Sequence, residues 1–388
     1  MSGSSSPPPP LAEPAAGWRV IVASDKFKGS LASDEVAAAV GDGVRKARPD
    51  VEVDWVPVAD GGDGTLAAVV AAGFELVPVA ACGPTGELVR SGYARRGDTA
   101  VVELADVCGL VRLPGGEPAP MTASSRGVGE VLAAAIDSGC TRVILGIGGS
   151  ASTDGGVGLI RALGARVLDA HGDEVPEGGA GLLAAESLEL AALRERLQGV
   201  ELVVACDVDN PLTGPTGAAA TYGPQKGAGP GEVEELDKGL GHWADLVARP
   251  VGRDLREAPG AGAAGGVGFV VVAVLGGQLR AGIELVLELV GFRERLVGAD
   301  LLVTGEGKLD EQTLRGKAVA GVAAMGAAAG VPVVAVCGVN TLDGEQLREA
   351  GVGKAYALTD LEPDVQRCIA DPAPLLRLLG EQIAADLR

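Results

Sequence analysis

The chain has 388 residues, of which 47% are apolar and only 3% aromatic. That length suits two domains on a prior of roughly 100–200 residues each, with cores of valine, leucine and alanine. A formal net charge of −20 argues against sequence-independent nucleic-acid binding, which depends on neutralising phosphates with lysine and arginine, and against adsorption to anionic membranes.

The longest apolar stretch, VGFVVVAVLGG, is too short for a bilayer, which takes about 20 residues. The first 17 residues, MSGSSSPPPPLAEPAAG, lack the basic and apolar regions of a signal peptide and read as a disordered tail. Cys82, Cys108, Cys140, Cys206, Cys337 and Cys368 are widely spaced, with no CxxC, which fits reduced thiols in a cytoplasmic protein better than a disulfide framework or a zinc site. His171 and His242 stand in unrelated contexts and make no convincing metal pair.

In chain order, WRVIVASD is a continuous apolar run of strand length. SDEVAAAVGDGVRKARPD carries helical spacing, with Ser33 as the N-cap and Pro49 just past the end. VEVDWVPV is a second strand, followed by ADGGDG and the small helix TLAAVVAAG. This alternation signals a parallel α/β sheet. After residue 75, FELVPVAA, LVRSGYARRG and TAVVELAD are short strands that suit an antiparallel unit. SSRGVGEVLAAAIDSG is a helix, TRVILGI a buried strand, GGVGLIRALGARV a helix running into a strand, and ELVVACDVDN a further strand. GEVEELDKGLGHWADLVAR reads as a polar, exposed helix. From about residue 299, ADLLVTGEG, KAVAGVAAMGAAAG, VPVVAVCG, DGEQLREAG and VGKAYALTD restore the α/β alternation. The simplest arrangement is a discontinuous α/β domain over residues 18–75 and 290–388, with a second α/β domain, 76–289, inserted into it.

Five strands end in polar, glycine-rich loops: ASDKFKGS, VADGGDGT, GIGGSASTDGG, ACDVDNPLTGPTG and VTGEGKLDEQT. Open parallel sheets bind ligands outside the carboxyl ends of their strands, and glycine there lets backbone N–H groups approach phosphate oxygens. Of only eight lysines, Lys26, Lys28, Lys226, Lys308 and Lys317 lie in or beside such loops, which suits an anionic small substrate. Gly260, Gly262 and Gly265 match GxGxxG but follow REAP rather than a strand. The dinucleotide reading therefore fails its context, leaving close packing or a backbone anion nest. Neither Gly307-Lys308 nor Gly316-Lys317 completes a Walker A sequence, so any use of ATP proceeds without a P-loop. Asp25, Asp60, Asp63, Asp154, Asp207, Asp209, Glu306 and Asp310 sit at strand ends. Phosphoryl transfer needs a few such carboxylates, to hold Mg²⁺ or orient a hydroxyl, and lysines to offset phosphoryl charge. Taken singly, each of these carboxylates reads more readily as a helix cap or turn residue than as a catalytic one, Asp154 in particular as a cap for the helix beginning at Gly155; the reading rests on the group.

The segments SDKFKGSL, PVADGGDGT, GIGGSASTDGG, ACDVDNPLTGPTGAAATYGPQKG, PGAGAAGGVG and VTGEGKLDEQTLRGK resemble, in order, those of bacterial glycerate kinases of the first type, the group that includes the glycerate 2-kinases. The resemblance implies a flavodoxin-like (Rossmann-type) three-layer α/β domain with a smaller inserted α/β domain and an active site between them. It also implies ATP-dependent, Mg²⁺-assisted phosphorylation of D-glycerate. The 2-hydroxyl is the expected acceptor. The alternatives are the 3-hydroxyl and, remotely, a non-catalytic glycerate or nucleotide sensor. On this reading Asp154, Asp60 and Lys28 are the catalytic candidates. Asp25, Lys26, Lys28, Gly61, Gly62 and Ser150 surround the substrate. Thr304, Gly305, Glu306, Gly307, Lys308, Asp310 and Gln312 contact the nucleotide, and Asp207 binds the metal. A homodimer is the assembly considered, and the sequence leaves that state open. Departures from the family pattern are Asp63 where many members carry Glu, Thr153 for a frequent Asn, and Tyr222 for Phe.

Overall fold

The computed structural model describes residues 17–311, 313 and 318–387. The expected tail, apart from Gly17, and Gln312 lie outside the described residues. The strands in chain order are β1 (Arg19–Ser24), β2 (Glu52–Trp55), β3 (Glu75–Cys82), β4 (Leu88–Arg96), β5 (Thr99–Glu103), β6 (Arg142–Gly146), β7 (Arg166–Leu168), β8 (Ser187–Glu189), β9 (Glu201–Ala205), β10 (Gln278–Arg280), β11 (Leu301–Leu309), β12 (Val333–Asn340) and β13 (Lys354–Ala357). They form a five-stranded sheet of order β13-β12-β11-β1-β2, a six-stranded sheet of order β10-β9-β6-β5-β4-β3, and the pair β7-β8.

The five-stranded sheet is parallel at every pairing. Counted along the chain, its strands lie in the order 2-1-3-4-5, that of flavodoxin-like folds, with the topological switch between the first and third. Here the switch falls between β1 and β11, strands from opposite ends of the chain, paired from Val20↔Leu301 to Ser24↔Gly305. In the six-stranded sheet β3, β4 and β5 run antiparallel, as expected from their short strands, and β5-β6-β9-β10 run parallel.

The helices Thr65–Ala71 and Gly282–Leu289 occupy the layer between the two sheets. Ala68, Ile283 and Val286 belong to the core that also holds Ile21 and Leu302. Val69, Leu285 and Leu289 pack with Val101, Ile144 and Val203 of the other sheet. Each helix is apolar on two faces because each covers two sheets.

Two local readings change. The helix Ser33–Ala47 is capped from Ala32, whose N–H donates to the Glu35 carboxylate at 2.9 Å. Ser33 instead donates its hydroxyl to the Ser24 carbonyl at 2.6 Å, tying the helix start to the end of β1. The helix Pro230–Val251 is not an exposed polar helix. Leu236, Leu240, Trp243, Ala244 and Val247 form a buried stripe, and Trp243 is fully buried with its indole N–H donating to the Gly155 carbonyl at 3.1 Å. The many charged residues hid an apolar seam at i, i+4 and i+7 spacing. Replacing Trp243 by Ala is expected to cost about 3–5 kcal/mol, read as a lowered urea midpoint of the unfolding transition that reports on the six-stranded sheet.

Candidate active site

A cleft of about 880 Å³ opens at the carboxyl ends of β1, β6, β9 and β11, toward the upper end of the range for ligand pockets of roughly 300–1,000 Å³. It includes the switch point, where the Asp25 N–H donates to the Gly305 carbonyl at 2.9 Å. Close approach of backbones shapes its floor. Gly61 has φ +84°, and a Cβ there would lie 2.5 Å from Ala205 Cβ and 2.9 Å from Gly282 Cα. A Cβ on Gly148 would stand 2.6 Å from Gly62 Cα. The loop after β2 thus meets Gly148 after β6, the Ala205 methyl group at the end of β9 and Gly282 after β10, and neither Gly61 nor Gly148 has room for a side chain.

From these loops Asp25, Lys26, Lys28, Asp60, Gly61, Gly62, Ser150 and Asp207 all reach the cleft, joined by Glu306, Gly307, Lys308 and Asp310. Asp25 has its carboxyl pushed up to about 6, chiefly by burial and then by the charge of Asp60, against a lowering hydrogen bond from the Lys26 N–H at 2.8 Å. Asp207 also rises to about 6, by burial first and then through Asp60 and Glu284, although its Oδ1 accepts the Gly282 N–H at 2.8 Å. Its side chain stays exposed at the cleft, so the walls desolvate it without covering it.

The two lysines after β1 differ. Lys26 donates to the carbonyl of Asp63 at 2.6 Å and is ion-paired with the Asp63 carboxylate. It is therefore committed to holding the Asp60–Asp63 loop. Lys28 is exposed on the cleft and, among the described residues, has no ion-pair partner within 4.0 Å. Lys308 pairs with Asp310 at 3.1 Å, and Thr313 donates its hydroxyl to Glu306 at 2.6 Å.

Two expectations change, those for the TGEG segment and for Asp154. TGEG is strand rather than loop: β11 continues to Leu309, paired with β12 from Gly305↔Val336 to Leu309↔Asn340. Gly305 serves close strand packing, since a Cβ there would lie 2.4 Å from the Val336 carbonyl oxygen, whereas Gly307 lines the cleft with room for one. Thr304 and Gly305 accordingly do not line the cleft, and Thr304 is fully buried. Asp154 does not line it either. It is fully buried, and its oxygens accept from Ser125 N and Oγ (both 2.8 Å), Gly156 N (3.1 Å) and Gly158 N (3.2 Å). Burial raises its pKa and those four donors oppose the rise. It fastens the loop after β6 to the helix Arg126–Asp137, closer to the capping role than to that of a base. The GxGxxG run is a packing device: a Cβ on Gly265, where φ is +68°, would fall 2.1 Å from the Ser152 carbonyl oxygen.

Two buried groups at the site were not among the expected site residues. Lys226 was noted only as one lysine of the glycine-rich loops. It is buried, lines the cleft, and reaches Ser150 Oγ at 2.9 Å and the Ser152 carbonyl. Glu103, at the end of β5, is 4% exposed and accepts the N–H groups of Gly64 (3.2 Å) and Leu66 (2.8 Å) at the start of the helix Thr65–Ala71. It clamps the Asp60–Asp63 loop to the second sheet. A carboxylate ending the apolar run AVVELA was the available signal.

A flavodoxin-order sheet facing a second sheet across a cleft of mixed charge is the architecture of an α/β enzyme that handles a small charged substrate. The sequence profile of the glycerate kinase family matches residues 20–388. The chain is 39% identical over 373 residues to a glycerate kinase of Bacillus subtilis, covering 95% of this chain and 98% of that one. It is 39% identical over 343 residues to a glycerate 2-kinase of Escherichia coli, covering 88% and 90%. A crystal structure described as a putative glycerate kinase 2 from Salmonella typhimurium superposes with a TM-score of 0.81 at 39% identity, covering 96% of this chain and 98% of that one. The chain belongs to the glycerate kinase family and is an enzyme of the kinase class. No helix among the described residues is long and apolar enough to cross a membrane.

Glu103 yields a signed pH effect. Its pKa rises from 4.5 to about 7, mainly by burial, with Asp63 and Asp106 adding to the rise. The folded state therefore holds this proton more tightly than the unfolded chain. The resulting stabilisation is full below about pH 4.5 and is lost as pH rises through about 7. The melting temperature of Glu103→Gln minus that of the wild type should become more positive between pH 4.5 and 8, as measured by calorimetry. A pH-independent difference would contradict the assignment.

Proposed function

We propose that this enzyme transfers the γ-phosphoryl group of ATP to D-glycerate, at the 2-hydroxyl, giving 2-phospho-D-glycerate and ADP. The observation that carries the reading is the meeting of Asp25, Asp60 and Asp207 with Lys28 and Lys308 in one cleft at the sheet's switch point. The name of the Escherichia coli relative, a glycerate 2-kinase, favours the 2-position.

The roles follow from chemistry. Lys28, exposed on the cleft, would hold the glycerate carboxylate, while Lys26 keeps the Asp60–Asp63 loop in place. Asp60 would orient the attacking hydroxyl. Lys308, with Glu306, Gly307 and Asp310 beside it, would face the nucleotide phosphates. The proposed domains, 18–75 with 290–388 and 76–289, would close on the pair of substrates and exclude water.

Among the described residues no three His, Cys, Asp or Glu side chains converge as a metal cage. Mg²⁺ does not demand one, since it is usually bound by one or two carboxylates, substrate phosphates and water. Asp207 and Asp25, each raised by burial and by the charge of Asp60, fit that requirement, because a cation among them relieves like-charge repulsion. When bound, the ion would neutralise charge on the β- and γ-phosphates.

A substrate panel with ATP and Mg²⁺, read by phosphorus NMR, tests the reaction. D-Glycerate should be consumed with the new resonance on C2, and a product phosphorylated at C3 would overturn the position. Lys28→Ala should raise the KM for glycerate by roughly 10- to 100-fold, the value of one charge-assisted hydrogen bond, with a smaller change in the KM for ATP.

A further inference from the structure

A lysine fully buried beside a polar cleft needs a reason, because desolvating an ammonium is costly unless a counter-charge and hydrogen bonds compensate. Lys226 is 2% exposed, in the single turn Pro224–Lys226, and lines the cleft from the side of the second sheet. Its Nζ makes two hydrogen bonds. One is donated to the Ser152 carbonyl, which can only accept. The other joins Ser150 Oγ at 2.9 Å, a hydroxyl that can accept from an ammonium or donate to the lone pair of a neutral amine.

Among the described residues no carboxylate lies within 4.0 Å of the amine. Asp154 is the charged group that acts on it through space, and the oxygens of Asp154 are already taken by Ser125, Gly156 and Gly158. Cys206 and Tyr222, titratable groups on the same cleft, are directed elsewhere, to the Val208 carbonyl and the Asn210 side chain. Burial pulls the amine down to about 7, with Asp154 opposing. A neutral fraction is therefore present at physiological pH.

The geometry points to Lys226 and Ser150 as a proton relay, with Ser150 Oγ at the cleft wall taking the proton of the attacking substrate hydroxyl and Lys226 Nζ taking the proton of Ser150. This rests on the proposed phosphoryl transfer. As the substrate oxygen forms its bond to the γ-phosphorus, the bond from that phosphorus to the β-bridging oxygen breaks and ADP leaves. The substrate O–H proton passes to Ser150 Oγ while the serine's own proton passes to the lone pair of Nζ. The resulting ammonium stands at the wall as phosphoryl charge develops, then returns its proton to solvent. Asp154, buried and fully engaged, acts by positioning the loop that carries Ser150.

The test is the pH dependence of kcat for the wild type, Lys226→Arg, Lys226→Met and Ser150→Ala, with glycerate and MgATP saturating. Arginine keeps the charge but stays protonated and cannot accept the proton. In the wild type kcat should rise with pH through an ionisation near 7. Lys226→Arg and Lys226→Met should lose about 10²- to 10⁴-fold in kcat and lose that limb, with KM for both substrates changed by less than about threefold. Ser150→Ala should lose kcat comparably. Lys226→Arg with wild-type kcat, or with raised KM for ATP and unchanged kcat, overturns the relay in favour of a phosphate-binding cation. If burial prevents both Lys226 variants from folding, Ser150→Ala decides, and an unchanged kcat there overturns the relay. A wild-type enzyme that leaves glycerate untouched overturns the proposed function and the relay with it. An active wild type with unaffected variants overturns the relay alone.

Discussion

The site depends on one contact, the approach of the Asp60–Asp63 loop to Gly148 after β6, Ala205 at the end of β9 and Gly282 after β10. Gly61 meets the Ala205 methyl group and Gly282, and Gly148 meets Gly62, so closely that neither Gly61 nor Gly148 has room for a Cβ. The carboxyl ends of two sheets whose bodies are separated by a layer of helices are thereby brought together. The distance saved lets Asp60 from one sheet act electrostatically on Asp207 from the other. Glu103 reinforces the contact by clamping the same loop through two backbone N–H groups, and Lys26 reinforces it by pairing with Asp63.

Charge in the cleft is arranged by burial as much as by number. The chain carries −20 overall, yet burial pushes the carboxyls of Asp25 and Asp207 up and the Lys226 amine down. Such groups change protonation at small energetic cost when a charged ligand enters. Beside them on the cleft stand the ion pairs Lys26–Asp63 and Lys308–Asp310.

Local signals sufficed to place strands and helices where one pattern dominated, as in β1, β12 and the helix Ala318–Ala329. They misled where two requirements overlapped. In the helix Pro230–Val251, surface charge outnumbered the buried stripe that seats Trp243. In β11, a run containing Gly305, which strand packing requires, looked like a phosphate loop. Asp154 carried the residue type of a base in the right motif, and only the four donors converging on it from two elements assign it to structure.

Sequence by itself determined the family, the α/β class and most residues that meet in the cleft, because glycine, aspartate and lysine at strand ends report local backbone needs and local charge. The tertiary structure decided which lysine is exposed on the cleft and which is committed, that Asp154 stands off the cleft while Lys226 lines it, and that Glu103 clamps the neighbouring helix start from outside it. These are properties of burial and of partners distant in the chain: Glu103 lies 39 residues from Gly64, and Lys226 lies 76 from Ser150. A side chain's desolvation is set by everything folded around it, and no stretch of neighbouring residues encodes that sum.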